Sequence, residues 1–347
     1  MREGSGSSAG VMPERDAGTL PLVARVYAQL ADGQFHSGEQ LARALQVTRS
    51  AVWKGVGTLR DLGVEMQAIR SKGYRLEASS EPLDARRIRE QLSQQAQQAV
   101  SWLEAEWSTD STNSVLALRP NPPLGESEVM LAEFQTAGRG RRGRQWIAPP
   151  GGAICLSLSW TFRQMPRDAG ALSLAIGVCV LRALQARGVE QVQLKWPNDI
   201  LVRNRKLGGI LIELRAESAG PAYVVVGIGL NVALGKALLE RIAALGLPAA
   251  DLASVSGGPV SRNAVAAALI GSCIEGLRQF EQEGLRPFVD EWGVADALRG
   301  HAVEVKGAGQ GVRGIARGID ISGALLVDTH DGVEKILSGE VSVRPVE

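Results

Sequence analysis

Apolar residues recur at helical spacing from Leu20 to Ala31, where Leu20, Val23, Val26, Tyr27 and Leu30 share one face before Asp32-Gly33 stops the run. A second helix is predicted after Ser37, which with Gln40 forms a capping box ahead of an apolar stripe of Leu41, Ala44 and Leu45. Thr48 is placed to cap a third, which reaches Leu62 with Val52, Val56 and Leu59 inward and Arg49, Lys54 and Arg60 outward; Gly63 ends it. Residues 64–76 read as two short strands about a Ser71-Lys72-Gly73 turn. Helices followed by a basic hairpin predict a winged helix-turn-helix, which sets its third helix in the major groove of DNA and its wing against phosphates. Winged helices also serve as protein-interaction modules. Gly55 and Gly57, each costing about 1 kcal/mol against Ala inside a helix, weigh against DNA binding more than against the fold.

Pro82 marks a boundary, after which Leu83 to Gln98 reads as a polar, Gln-rich helix. From Val100 to about Leu298, short strand-like runs alternate with two long helical patterns. The strands are Val129–Ala132, Ile154–Ser159, Val192–Leu194, Ile210–Leu214 and Tyr223–Ile228; the helices are Leu172–Arg187 and Ala264–Glu283. The remainder alternates Val, Ile and Leu with Gly and Asp, which fits a small β-barrel-like (SH3-like) module. The expected fold class is α+β: a disordered extension (1–19), a winged helix-turn-helix (20–82), a mixed α/β domain (83–298) and a C-terminal β module (299–347).

At 347 residues, with 45% hydrophobic and 22% charged, the chain has the profile of a multidomain globular protein. It contains no run of about eighteen apolar residues and begins with a Gly/Ser-rich stretch, so a cytoplasmic protein without membrane attachment is expected. Cys155, Cys179 and Cys273 lie in apolar surroundings and are expected as buried free thiols, and the histidines show no zinc spacing. Net charge is only +1, yet residues 43–75 hold seven Lys/Arg against Asp61 and Glu65, a one-sign surface of the kind that meets phosphates.

Gly138-Arg-Gly-Arg-Arg-Gly143 satisfies GxGxxG, but the following Gln145-Trp-Ile-Ala-Pro-Pro-Gly-Gly152 cannot open the helix that a dinucleotide-binding loop requires. What remains is a flexible loop bearing Arg139, Arg141, Arg142 and Arg144, suited to clamping an anion, or alternatively a solvated or nucleic-acid-binding basic loop. Trp146 beside it is compatible with stacking on a base. Lys195 and Lys206 each flank a buried strand; alone they would merely snorkel to water, but the nearby Asn198 and Asp199, suited to a hydrated magnesium ion, favour a nucleotide site.

These residues resemble a bacterial biotin protein ligase of the bifunctional type that also represses transcription. The resemblance runs almost end to end, through Phe35-His-Ser-Gly-Glu-Gln-Leu41, Asp110-Ser-Thr-Asn113, Gln135-Thr-Ala-Gly-Arg-Gly-Arg-Arg-Gly-Arg144, Lys195-Trp-Pro-Asn-Asp199, Lys206-Leu-Gly-Gly-Ile-Leu211 and Gly227-Ile-Gly-Leu-Asn231. It implies an ATP- and Mg2+-dependent enzyme that makes biotinyl-5'-AMP and passes biotin to a lysine of a biotin carboxyl carrier domain. It also implies an operator-binding repressor and a ligand-dependent homodimer. Carried onto this chain, biotin is assigned to Ser111, Thr112, Asn113, Gln135, Gly138, Arg139, Gly140, Arg141, Lys206, Leu211, Gly227 and Gly229. ATP falls to Arg144, Trp146, Lys195, Asn198 and Asn231, and the metal to Asp199. Catalysis is assigned to Lys206, Lys195, Arg139 and Arg141, and DNA contact to Arg49, Lys54, Arg60 and Lys72. A lipoate ligase of the same fold, and a ligase whose winged helix does not bind DNA, are the alternatives.

Overall fold

The computed structural model describes residues 20–77, 80–216, 220–244, 248–256, 260–306, 311–337 and 339–343. The extension expected over 1–19 lies outside the described residues. The first unit contains α1 (Leu22–Leu30), α2 (Gly38–Leu45) and α3 (Arg49–Asp61), then the antiparallel hairpin β1 (Met66–Ile69) and β2 (Gly73–Leu76). Ser37 and Gln40 close the reciprocal capping box, at 3.1 Å from the Gln40 amide to Ser37 Oγ and 2.7 Å from the Ser37 amide to Gln40 Oε1. Ala42, not Ala44, joins Leu41 and Leu45 in the core. Gly55 is buried where α3 crosses α1, and a Cβ there would press to 3.2 Å from Val26 Cγ2. The helix propensity lost at this glycine thus allows close packing of the two helices. Gly57 has no such reason: a Cβ there meets nothing within 4 Å.

The predicted helix over 83–98 is two short helices, α4 (Ala85–Glu90) and α5 (Gln94–Ala99), because Ser93 accepts from the Ala96 amide and starts a new helix. The central unit then runs β3 (Val100–Thr109), α6 (Thr112–Leu118), β4 (Ser127–Gln135), β5 (Ala153–Phe162), α7 (Leu172–Gln185), β6 (Val192–Lys195), β7 (Asp199–Val202), β8 (Arg205–Ala216) and β9 (Ala222–Asn231). After these come α8 (Lys236–Ala244), α9 (Leu252–Ser256), α10 (Arg262–Glu283) and α11 (Val289–Ala295). The strands form one seven-stranded sheet ordered β3-β4-β5-β9-β8-β7-β6, parallel between β3 and β4 and antiparallel elsewhere.

Every residue of β5 is buried, so both faces of the sheet are covered. Alternation sends Ile154, Leu156, Leu158, Trp160 and Phe162 into the large apolar core shared with α7 and α10. The opposite face carries Cys155, Ser157, Ser159 and Thr161. β10 (Ala302–Lys306), β11 (Val312–Ile319), β12 (Leu325–Thr329), β13 (Gly332–Ile336) and β14 (Glu340–Val343) form a small antiparallel sheet ordered β13-β12-β11-β10-β14. It shares the main core through Val303, Val305, Leu325 and Val327, and it receives the Trp196 indole N–H on the Gly323 carbonyl at 3.1 Å.

The winged helix joins the central unit through Tyr27, whose ring lies 5.7 Å from Trp107 and whose hydroxyl donates to the Ser80 carbonyl at 2.9 Å. Beneath this junction lies a buried ion pair. Arg262 donates to Glu133 at 2.7 Å and to the carbonyls of Ala153 and Glu81, while Glu133 accepts from the amides of Leu83 and Gly151. Burial pushes the Tyr27 hydroxyl far up its titration range and, more moderately, the Cys155 thiol up to about 11, leaving both neutral. All three cysteines are buried and free. Among the described residues no helix is long and apolar enough to cross a membrane.

Candidate active site

Strand register builds the floor of the site. Cys155 lies opposite Gly229, which lies opposite Gly209; Ser157 lies opposite Gly227, which lies opposite Leu211. Residues opposed in a ladder share a face, so four adjacent strands present Ala132, Cys155, Ser157, Gly227, Gly229 and Gly209 on the side away from α7 and α10. The small residues leave room that larger ones would fill. A Cβ at Gly227 would lie 2.3 Å from Asn113 Oδ1, and one at Gly229 would lie 2.6 Å from the Trp146 indole, so both glycines are required sterically.

One rim is the start of α6. Ser111, Thr112 and Asn113 are buried polar residues there, and the Thr112 amide and hydroxyl both reach Gln135 Oε1, at 2.8 and 3.1 Å. Ser157 Oγ lies 2.7 Å from Thr112 Oγ1 and 2.5 Å from Asn113 Oδ1, and Asn113 Nδ2 donates to Glu213 at 2.7 Å. Ser157 and Glu213 were not among the residues singled out from sequence. Their signal was a polar residue inside a strand buried on both faces, and an acid on the site face of β8.

The arginine loop folds back on itself. Residues Arg139 and Gln145 form an antiparallel bridge, the Gly140 amide donates to the Arg144 carbonyl at 2.7 Å, and the turn between them holds Arg142 and Gly143 at φ of 55° and 74°. No helix follows Gly143, as the Pro-Pro-Gly-Gly run required. The loop is fixed to both sides of the floor. Arg139 meets Glu213 at 3.2 Å and donates to Ser114 at 3.1 Å, and Arg141 donates to Asn198 Oδ1 at 3.1 Å. Gly138 admits no side chain, since a Cβ would lie 2.4 Å from the Trp146 carbonyl oxygen.

The far rim is the β7–β8 hairpin. Lys206 Nζ lies 2.5 Å from Asp199 Oδ1, and Asn198 exchanges hydrogen bonds with Ile210, its Nδ2 donating at 2.8 Å and its carbonyl accepting at 3.0 Å. Lys195 stands opposite Asp199 in the ladder. Asn231, on the same face of β9 as Gly227 and Gly229, donates its amide to the carbonyls of Lys206 and Ala250, which ties β8 to the segment before α9. About one floor of small residues, therefore, Arg139 lies on the α6 side with Ser114 and Glu213, and Arg141, Lys195 and Lys206 lie on the side of Asn198 and Asp199, across from the hydroxyl and amide groups of α6 and β4. Among the described residues, no cluster of three His, Cys, Asp or Glu side chains is placed to cage a metal.

On the winged helix, Arg49, Lys54 and Arg60 are exposed along α3, and Lys72 lies at the wing tip, 5.7 Å from the Phe35 ring centre. Trp53, which the sequence reading passed over, is 67% exposed on the same side of α3. A large aromatic ring in water, flanked by cations, is the unusual feature of this surface.

The fold and site together define a ligase domain carried behind a DNA-binding type of module. Residues 107–231 match the Biotin/lipoate A/B protein ligase family, residues 24–75 an HTH domain, and residues 300–344 the Biotin protein ligase C terminal domain. The chain is 38% identical to the bifunctional ligase/repressor BirA of Salmonella typhimurium over 95% of this chain and 99% of that protein. It is 32% identical to the BirA of Bacillus spizizenii over 90% of this chain and 95% of that protein. The structure of the Aquifex aeolicus biotin protein ligase in complex with biotin and ATP superposes with a TM-score of 0.59 at 28% identity, covering 70% of this chain and 98% of that one. The chain belongs to the biotin protein ligase family, in its bifunctional ligase/repressor branch.

Proposed function

We propose that this chain joins biotin to ATP on the small-residue floor and passes it to a lysine of a biotin carboxyl carrier domain. The observation that carries the proposal is the set of cations about that floor: Arg139 beside the polar rim of Ser111, Thr112, Asn113 and Gln135, and Arg141 and Lys206 on the side of Asn198 and Asp199. The rim, with Leu211, Gly227 and Gly229 beneath, takes the ring system, and the carboxylate points toward Lys206. Arg144, Trp146, Lys195, Asn198 and Asn231 serve ATP, and Asn231 also holds the Lys206 backbone. Carboxylate attack on the α-phosphorus, with pyrophosphate leaving, brings two anions together, and the cations offset that repulsion. The acceptor amine then attacks the acyl carbon of biotinyl-5'-AMP and AMP leaves. Gly138 and Gly140 let the loop cover this mixed anhydride and exclude water until the acceptor arrives.

Magnesium fits this site in a limited way. Asp199 and the Asn198 carboxamide oxygen suit an ion that keeps most of its shell as water and phosphate oxygens. Bound there, it would offset charge on the triphosphate. In the present arrangement these oxygens accept from Lys206 and Arg141, so ligand binding has to exchange partners.

A second reading concerns the winged helix. The exposed Arg49, Lys54 and Arg60 beside Trp53, with Lys72 on the wing, favour operator DNA as a partner. A single module makes few phosphate contacts, so recognition calls for a homodimer whose formation follows loop ordering by biotinyl-AMP. We place the protein in the cytoplasm, where carrier and operator both lie. The test is incubation with ATP, magnesium, labelled biotin or lipoate, and a biotin carrier domain, followed by sedimentation and operator binding with and without ligand. Transfer of lipoate in place of biotin would overturn the substrate assignment. Unchanged mass and DNA affinity would overturn the repressor reading and leave a ligase with a non-DNA-binding winged helix.

A further inference from the structure

The polar rim contains a proton count that does not close, and Glu213 is the reason. Three contacts join four groups in a row: Gln135 Oε1 to the Thr112 hydroxyl at 3.1 Å, Thr112 to the Ser157 hydroxyl at 2.7 Å, and Ser157 to Asn113 Oδ1 at 2.5 Å. Both ends of the row are acceptors, and the two hydroxyls between them carry one proton each. Turning the Asn113 carboxamide over would supply the third proton. It would also aim Oδ1 at the Glu213 carboxylate, to which Asn113 Nδ2 now donates at 2.7 Å. Two acceptors facing each other at that distance in a partly buried site cost more than a hydrogen bond returns. Glu213, itself paired with Arg139 at 3.2 Å, therefore fixes the Asn113 amide.

The rest of the row follows. Ser157 donates to Asn113 and Thr112 donates to Ser157, which are the two shorter contacts. The longest contact, Thr112 Oγ1 to Gln135 Oε1, is left as two acceptors with no proton between them. We infer that Glu213 is a specificity-determining residue that sets the hydrogen-bond polarity of the ring pocket, so that its wall accepts an N–H from the ligand. This rests on the assignment of that pocket to the ring of biotin, whose cyclic urea offers two N–H groups. A ring that lacks an N–H, such as a dithiolane, leaves the opposed oxygens unrelieved. The same carboxylate therefore selects a urea-type ligand at the floor and holds Arg139 of the loop above it.

Calorimetric titration of wild type, Glu213→Gln and Arg139→Ala with biotin, and with analogues methylated at one or the other ureido nitrogen, tests the inference. A glutamine at 213 matches glutamate in shape but can donate to Asn113 Oδ1, which lets the row fill with three protons. Wild type is expected to discriminate against one methylated analogue. In Glu213→Gln biotin should weaken about tenfold and that discrimination should narrow by a similar factor, the worth of one hydrogen bond. The steric bulk of the methyl group is common to both proteins and cancels in the ratio. Arg139→Ala should keep the full discrimination. Unchanged discrimination in Glu213→Gln, or equal narrowing in Arg139→Ala, would overturn the inference while the pocket assignment stands. Failure of wild type to bind biotin would overturn the assignment itself, and the inference with it.

Discussion

Lys206→Ala tests the reaction most directly. The ammonium lies 2.5 Å from Asp199 Oδ1 and is 42% exposed, so it is held by one carboxylate yet accessible to a substrate above the floor. Its backbone is locked separately, by the Lys206 amide on the Pro248 carbonyl at 2.8 Å and the Ala250 amide on the Lys206 carbonyl at 2.9 Å, so truncation should leave β8 in place. Removal acts twice. It strips one preorganised cation from the point where carboxylate meets phosphate, which is worth roughly 3 kcal/mol, or about a hundredfold in rate. It also leaves Asp199 without its partner beside two incoming anions, which adds to the loss. The expected result is at least about a hundredfold slower biotin-dependent pyrophosphate exchange, with the unfolding midpoint little changed because this partly exposed pair contributes little stability. Exchange within fivefold of wild type, in a folded protein, would refute the role given to Lys206.

Three further outcomes are expected. Arg141→Gly frees the loop from Asn198 and should speed release of biotinyl-AMP, seen as biotin on bystander proteins; clean labelling of the carrier alone would count against a retaining loop. Trp53→Ala should weaken operator binding by about tenfold to a hundredfold, the worth of one base-edge contact, while ligation continues, as measured by gel shift beside a ligation assay. Equal DNA affinity would place Trp53 outside the interface. Arg262→Met strands the buried Glu133 carboxylate and should cost roughly 3 to 5 kcal/mol in denaturant unfolding, whereas adding Glu133→Gln should recover much of it; a double variant no better than the single would contradict the ion-pair account.

Local chemistry was legible from the residues alone because it acts over short spans. Ser37 with Gln40, Thr48, the wing turn and the Pro-Pro-Gly-Gly block of a helix after Gly143 each depend on neighbours within a few positions, and the structure repeats them. Strands β3 and β7 were not foreseen: β3 carries Glu104 and Glu106 through its middle, and β7 is only four residues long and starts on the last residue of the Lys195–Asp199 motif, so neither shows a clean period. The two helix glycines looked alike in sequence. Only the crossing of α1 and α3 separated Gly55, pressed against Val26, from Gly57, open to solvent. Motifs identified the arginine loop and Lys206, but not their partners. Ser157 lies 45 residues from Thr112, and Glu213 lies 100 residues from Asn113 and 74 from Arg139. Such pairs come together by strand register, which depends on the burial of whole sheet faces rather than on any local pattern. The sequence by itself therefore determined which groups carry charge and where the chain turns, and the tertiary structure decided which acceptor faces which proton.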